Sequence, residues 1–236
     1  PIPYFINFGT MGAVIRTKSP IYSKKAMFDI GIAGPLSGFV ICLGILIYGF
    51  THVPSIEYLI NIHPDYFSPD YGKEGMQLIF GDSILFSLLR YIFADPNAFF
   101  PPMSEIYHYP FLCAGWFGLL VTSMNMIPVG QLDGGHISYT MFGEKKHYNI
   151  SAVSAIILFV IGFAAVLDSL LEFNIGIGWS GWLFWAFILY FIVKITHPPV
   201  PDVLPLDRKR MFLGYVSFFI FVISFSPAPL MLNVIG

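Results

Sequence analysis

One carboxylate stands out by its surroundings: Asp133, in the run Asn125-Met126-Ile127-Pro128-Val129-Gly130-Gln131-Leu132-Asp133-Gly134-Gly135-His136. The segment is otherwise apolar, and Lys145 follows 12 residues later, roughly 18 Å of helical rise, which is near mid-depth if the segment enters a bilayer. An unpaired charge there is costly, so the carboxylate calls for a cation, a metal ion or a proton. Pro128, Gly130, Gly134 and Gly135 free backbone polar groups that are tolerated at such depth only against protein or a water-filled cavity. Both observations point to a hydrated site. The residues alone also leave open a structural Asp that bonds a neighbouring helix or caps a helical fragment.

Asn125 precedes Asp133 by eight residues, so a continuous helix would bring the two to one face. Its amide could donate to a developing oxyanion, or equally to a neighbouring helix. His136 reads as a cap or as a support for metal ligands. His52, His63, His108, His147 and His197 fall in loops or at interfaces, and no two histidines stand four apart, so these residues hold no His-Glu-x-x-His helix. Asp29 and Asp168 read as interfacial caps. Cys42 and Cys113, each inside an apolar run, read as buried small hydrophobes rather than a disulfide or a metal site.

The elements that must hold these residues are set by composition. Of 236 residues, 56% are hydrophobic and only 11% charged, with a mean hydropathy of +0.72, whereas soluble domains run near a quarter charged. A net charge of -2 and a pI near 6.3 give no basic surface, which excludes nucleic acid as a partner. The fold class expected is an all-α polytopic membrane protein, a single embedded domain over 1–236 with about five spans in the lipid bilayer. Residues 1–20, with β-branched and aromatic residues broken by Gly9, Gly12 and Pro20, read as a short β-hairpin. The first span, about 26–50, is crowded with Gly31, Ala33, Gly34, Ser37 and Gly38, which lets a neighbouring helix approach closely.

Residues 51–110 form an external acidic loop with an amphipathic helix at about 75–93. A broken span follows from 111, with its interruption at the Leu-Asp-Gly motif, then spans at about 150–171, 179–195 and 211–232. The Pro-rich connector His197-Pro198-Pro199-Val200-Pro201-Asp202 joins the last two. With the start of the first span inside, ten Lys and Arg residues lie on inner segments, and only Lys73 and Arg90 on outer ones. Five spans then leave the C-terminus outside.

The block from Asn125 to His136 resembles the second signature of the site-2 protease family of intramembrane zinc metalloproteases. The likeness extends to Gly9-Thr10-Met11-Gly12-Ala13-Val14-Ile15-Arg16, to Phe28-Asp29-Ile30-Gly31-Ile32-Ala33-Gly34-Pro35-Leu36-Ser37-Gly38, and to His197-Pro198-Pro199 with Pro205-Leu206-Asp207. These stretches resemble the branch without a PDZ domain found in archaea, bacteria and chloroplasts. The resemblance implies a metalloendopeptidase that cuts transmembrane protein substrates, with Zn2+ as cofactor and Asp133 as the third zinc ligand. Asn125 would steady the substrate or oxyanion.

In the family the His-Glu-x-x-His helix directly precedes a segment like 1–15, so its place would be upstream of Pro1, and this chain is expected to be inactive without it. Gly12, Ala13 and Val14 would lie on an extended edge that pairs with an unwound substrate. The membrane implied is the plasma membrane of a prokaryote, or a chloroplast membrane. The competing expectations are an inactive relative serving as membrane scaffold or chaperone and, more remotely, a transporter with Asp133 as its ion site.

Overall fold

Long apolar runs must satisfy their backbone polar groups internally, and in this chain they do so as helices. The computed structural model describes residues 21–235 except 72–74, 172, 174, 177 and 203. The expected N-terminal hairpin, with Gly12, Ala13 and Val14, lies outside the described residues. Among the described residues, two helices are long and apolar enough to cross a membrane, α1 (Lys24–Thr51) and α6 (Glu144–Leu170). Only 28% and 17% of their most apolar windows are buried, whereas the core helix of a soluble protein would be mostly covered. Ile156, Ile157, Phe159, Val160 and Phe163 of α6 all face outward, a surface that suits lipid and not water.

Between them lie α2 (Ile56–Ile62), strand β1 (Gly75–Phe80), α3 (Ile84–Phe93), a 3-10 turn (Ile106–His108), α4 (Pro110–Asn125) and α5 (Asp133–Phe142). After α6 come α7 (Gly181–Phe187), which runs on as a π-helical turn over Ile188–Val193, then α8 (Arg208–Ser224) and strand β2 (Leu230–Ile235). The described residues are thus mostly helical with one two-stranded sheet. At 16 and 17 residues, α4 and α8 are shorter than the roughly 20 that cross a hydrocarbon core upright.

Two expected segments differ. The amphipathic helix over 75–93 begins as strand, and α3 starts only after Ser83, whose hydroxyl caps it by accepting from Phe86 N at 3.2 Å. The last span stops at Ser224 instead of reaching 232, because Pro227 and Pro229 have no N–H to continue a helix and the chain then pairs as β2. β1 and β2 are antiparallel, with Leu78 opposite Leu232 and Phe80 opposite Leu230. The 51–110 loop and the C-terminal strand therefore share one end of the molecule. Two indoles fasten that end: Trp116 donates to Gly81 O and Trp182 to Pro227 O, both at 2.8 Å.

The opposite end carries Lys24 and Arg210. Arg210 grips both carboxylate oxygens of Asp29, at 2.8 and 2.6 Å, and Asp202 accepts from Ser23 Oγ and Lys24 N. Asp29 is thus an ion-pair partner between α1 and α8. Asp168 is the cap expected of it, accepting from the amides of Ile175 and Gly176 at the end of α6.

The core between the two ends depends on close helix approach. Leu46 and Cys42 of α1 occupy the spaces over Gly115 and Gly118 of α4, and Gly38 faces Thr122. Leu46, Phe50, Phe86, Leu112 and Trp116 fill the sheet end, while Phe28, Ile32, Met126 and Ile137 fill the space where α1 meets α5.

Candidate functional site

The span expected to be broken at Leu-Asp-Gly is two helices joined by residues 126–132. α4 ends as Met126 N closes on Thr122 O and Ser123 O, and Pro128 has no N–H with which to go on. The unwound stretch satisfies itself through Val129 N to Ile127 O at 2.7 Å and Leu132 N to Val129 O at 3.1 Å. α5 begins at Asp133, after an extended Leu132, with His136 N bonding back to Leu132 O. A carboxylate in a helix's first turn faces the positive end of the helix dipole.

Glycines permit the fold-back. Gly130 has a φ of +53° and lies against Lys194 O, where a side chain would collide. Gly134 and Gly135 tuck under the carbonyls of Met126 and Gly130. Across the interface, a Cβ on Gly34 would meet Asp133 Oδ2 at 3.8 Å, so the half-buried carboxylate lies over the small-residue face of α1. Among the described residues, Asp133's side chain has no hydrogen-bond or ion-pair partner. A carboxylate so placed could hold a bound cation.

Asn125 is the last residue of α4 and is exposed. The eight-residue helical relation to Asp133 does not apply, because the helix ends between them. His136 is in α5's first turn, and its Nδ1 lies 2.7 Å from His197 Nε2. His197 Nδ1 must donate to Pro198 O, also at 2.7 Å, so its Nε2 is an acceptor and His136 Nδ1 carries the shared proton. The Nε2 of a neutral His136 is therefore left as a lone pair.

His147 and His197, expected in loops or at interfaces, are both buried and join His136. Tyr139 stacks on His197 at 4.2 Å and also orders the connector, since its hydroxyl oxygen accepts from Val200 N at 3.1 Å. Ser151 of α6 spends its one proton on Pro128 O at 3.1 Å and accepts from Gly130 N at 3.4 Å. It must then also accept from His147 Nε2, which leaves His147 Nδ1 to receive the Ser138 hydroxyl proton. The unwound stretch before Asp133 is thus tied to α6 through one serine. Nothing local in the sequence marked Ser151; only its small polar side chain within an apolar helix set it apart. An open pocket of about 220 Å³ lined by Glu144, Lys145, His147, Tyr148, Thr196 and His197 adjoins this network from the basic end.

Comparisons with known proteins give a family match and several relatives. The model of peptidase family M50 matches residues 2–168. The chain is 31% identical over 232 residues to the probable zinc metalloprotease EGY1, chloroplastic, of Oryza sativa subsp. japonica, covering 96% of this chain and 35% of the relative. It is 24% identical over 205 residues to the probable zinc metalloprotease EGY2, chloroplastic, of Oryza sativa subsp. indica, covering 85% and 32%. The EGY2 relative of Arabidopsis thaliana is 23% identical over 233 residues, covering 97% and 36%. The chain spans about a third of the length of these curated relatives. No solved structure matches it.

Proposed function

The chain belongs to peptidase family M50, and we propose on that premise that it is the membrane-embedded part of a zinc metalloendopeptidase of the site-2 protease type, which hydrolyses peptide bonds in or near transmembrane segments of membrane proteins. The carrying observation is the Asp133 carboxylate, unpaired among the described residues at the start of a helix that follows an unwound stretch. Asp133 would be this chain's ligand to the zinc. Zinc, when bound, supplies a Lewis acid that brings the pKa of its water towards neutrality.

The chain's own residues supply the rest. Asp133 offers one anionic ligand whose helix is fixed by Gly134 and Gly135 beneath it and by Gly31 and Gly34 beside it. Ser151 and His147 hold the unwound stretch, so the ligand is not left on a loose loop. Asn125, exposed at the end of α4, would hydrogen-bond the substrate peptide or its oxyanion. Gly12, Ala13 and Val14 would pair with the unwound substrate along their backbone.

We place five spans in one domain over 1–236: α1, the α4–α5 pair, α6, α7 with its π turn, and α8. The sheet end is external, with the 51–110 loop, and the end bearing Lys24, Lys145, Lys194 and Arg210 is internal. The pairing of β1 with β2 supports this count, since an odd number of spans separates α1's inner start from a C-terminus beside the external loop. The host membrane would be a prokaryotic plasma membrane or, as the names of the relatives favour, a chloroplast membrane.

The test uses the full-length protein, wild type beside Asp133→Ala, with a model transmembrane substrate and metal analysis. Loss of cleavage together with one zinc equivalent supports the reading. A wild type that folds but neither cleaves nor changes its zinc content on substitution of Asp133 overturns it in favour of a non-catalytic scaffold.

A further inference from the structure

At the sheet end, far from Asp133, three side chains converge that the proteolytic reading leaves unused. Gly34, beside Asp133, and Thr51, at the other end of α1, are about 25 Å apart along the helix. Beyond Thr51, His63 closes α2 and His108 closes the 3-10 turn, with Glu105 just before that turn. His63 Nε2 and His108 Nε2 are 2.9 Å apart, and Glu105 Oε2 is 3.9 and 3.7 Å from them. We propose that His63, His108 and Glu105 form a second zinc site, on the external cap of the protein.

Glu105 is the independent witness. It is only 4% exposed; Oε1 accepts from the Tyr71 hydroxyl at 3.2 Å, while Oε2 is buried with no hydrogen-bond partner. A buried carboxylate oxygen without a donor is costly, and both imidazole nitrogens lie beyond hydrogen-bond distance of it. The two nitrogens can share one proton between themselves, which does nothing for Oε2. A cation at their common focus satisfies all three atoms. The point equidistant from the corners of a triangle with sides of 2.9, 3.9 and 3.7 Å is about 2.1 Å from each, the length of a zinc bond to imidazole or carboxylate.

The donor set selects the metal class. Two imidazoles and one carboxylate suit Zn2+, whereas Ca2+ and Mg2+ take oxygen ligands. Tyr58 adds orientation by donating from its hydroxyl to His108 O at 2.9 Å. Zinc there would clamp the segment after α1 to the segment leading into α4, bridging 45 residues of sequence. The cap over the outer ends of α1 and α4 would then be metal-stiffened.

The test takes full-length protein carrying Asp133→Ala, which removes the proposed carboxylate ligand of the catalytic site, strips it with chelator and reloads it with Zn2+ or Co2+. Expected are one bound zinc equivalent, visible Co2+ ligand-field bands and a higher unfolding midpoint in zinc. Adding His63→Gln should abolish all three, and Glu105→Gln, which preserves the side chain's shape, should do so even if the histidine variant folds poorly. Folded Asp133→Ala protein that binds no metal, or equal zinc content with and without Glu105→Gln, overturns the proposal. Because every arm carries Asp133→Ala, the outcome is independent of whether Asp133 is a ligand.

Discussion

Gly31 of α1 and His136 of α5 are so close that a Cβ on Gly31 would come within 2.9 Å of His136 Cβ and 3.2 Å of Asp133 O. This contact sets the separation between the small-residue helix and the turn that bears Asp133. Gly31→Leu should force α5 away and destabilise the protein by about 1–3 kcal/mol. Gly44, on the same helix with nothing within 4 Å of an added Cβ, is the control; Gly44→Ala should be neutral or stabilising by up to about 1 kcal/mol. Denaturant unfolding in detergent compares the two.

Ser151 holds three partners with one hydroxyl, so Ser151→Ala should leave Pro128 O, Gly130 N and His147 Nε2 each short of a bond. The expected loss is about 1–3 kcal/mol, with faster hydrogen exchange at Gly130 and through residues 126–132. Exchange mass spectrometry reads this directly, and unchanged protection would show that α6 does not hold the unwound stretch.

A Cβ on Gly118 would overlap the Cys42 sulfur. Gly118→Ala should therefore cost about 1–3 kcal/mol, and Cys42→Ala in the same chain should recover much of it by opening space. A double-mutant cycle on unfolding midpoints measures the coupling, which should vanish if α1 and α4 do not meet there.

The connector should show a pH signature. Asp202 accepts from Leu204 N, Lys24 N and Ser23 Oγ, and these bonds hold its pKa below the ordinary carboxylate value. A carboxylate depressed in the folded state adds stability above its unfolded pKa and loses it as pH falls through the folded one. Wild type should thus be more stable than Asp202→Ala at neutral pH, with the gap closing in acid as pH falls below the ordinary carboxylate range. Unfolding midpoints of both proteins across that range check the sign.

The Asp133 block, the break around Pro128 and Gly130, and the small-residue face of α1 were all legible from residue type and spacing, because each is a property of one contiguous segment. Apolar composition likewise determined the solvent: the outward Ile and Phe residues of α6 follow from a run too hydrophobic for water. A partner that lies far along the chain leaves no mark on a local pattern. Residues 75–80 look helical alone and become strand because β2 supplies their hydrogen bonds from the far end of the sequence.

The histidines divide the same way. Read singly, His136 was a cap or a support for metal ligands and the other five were loop or interface residues, yet tertiary packing brings His136 to His197 across 61 positions and His63 to His108 across 45. Sequence alone determined which residues could carry charge or bind metal and which helices could approach closely, since those are local chemistry. Which carboxylate stays unpaired, which imidazole donates and which strands meet were decided only by the fold, because each depends on atoms brought together by packing and not by spacing.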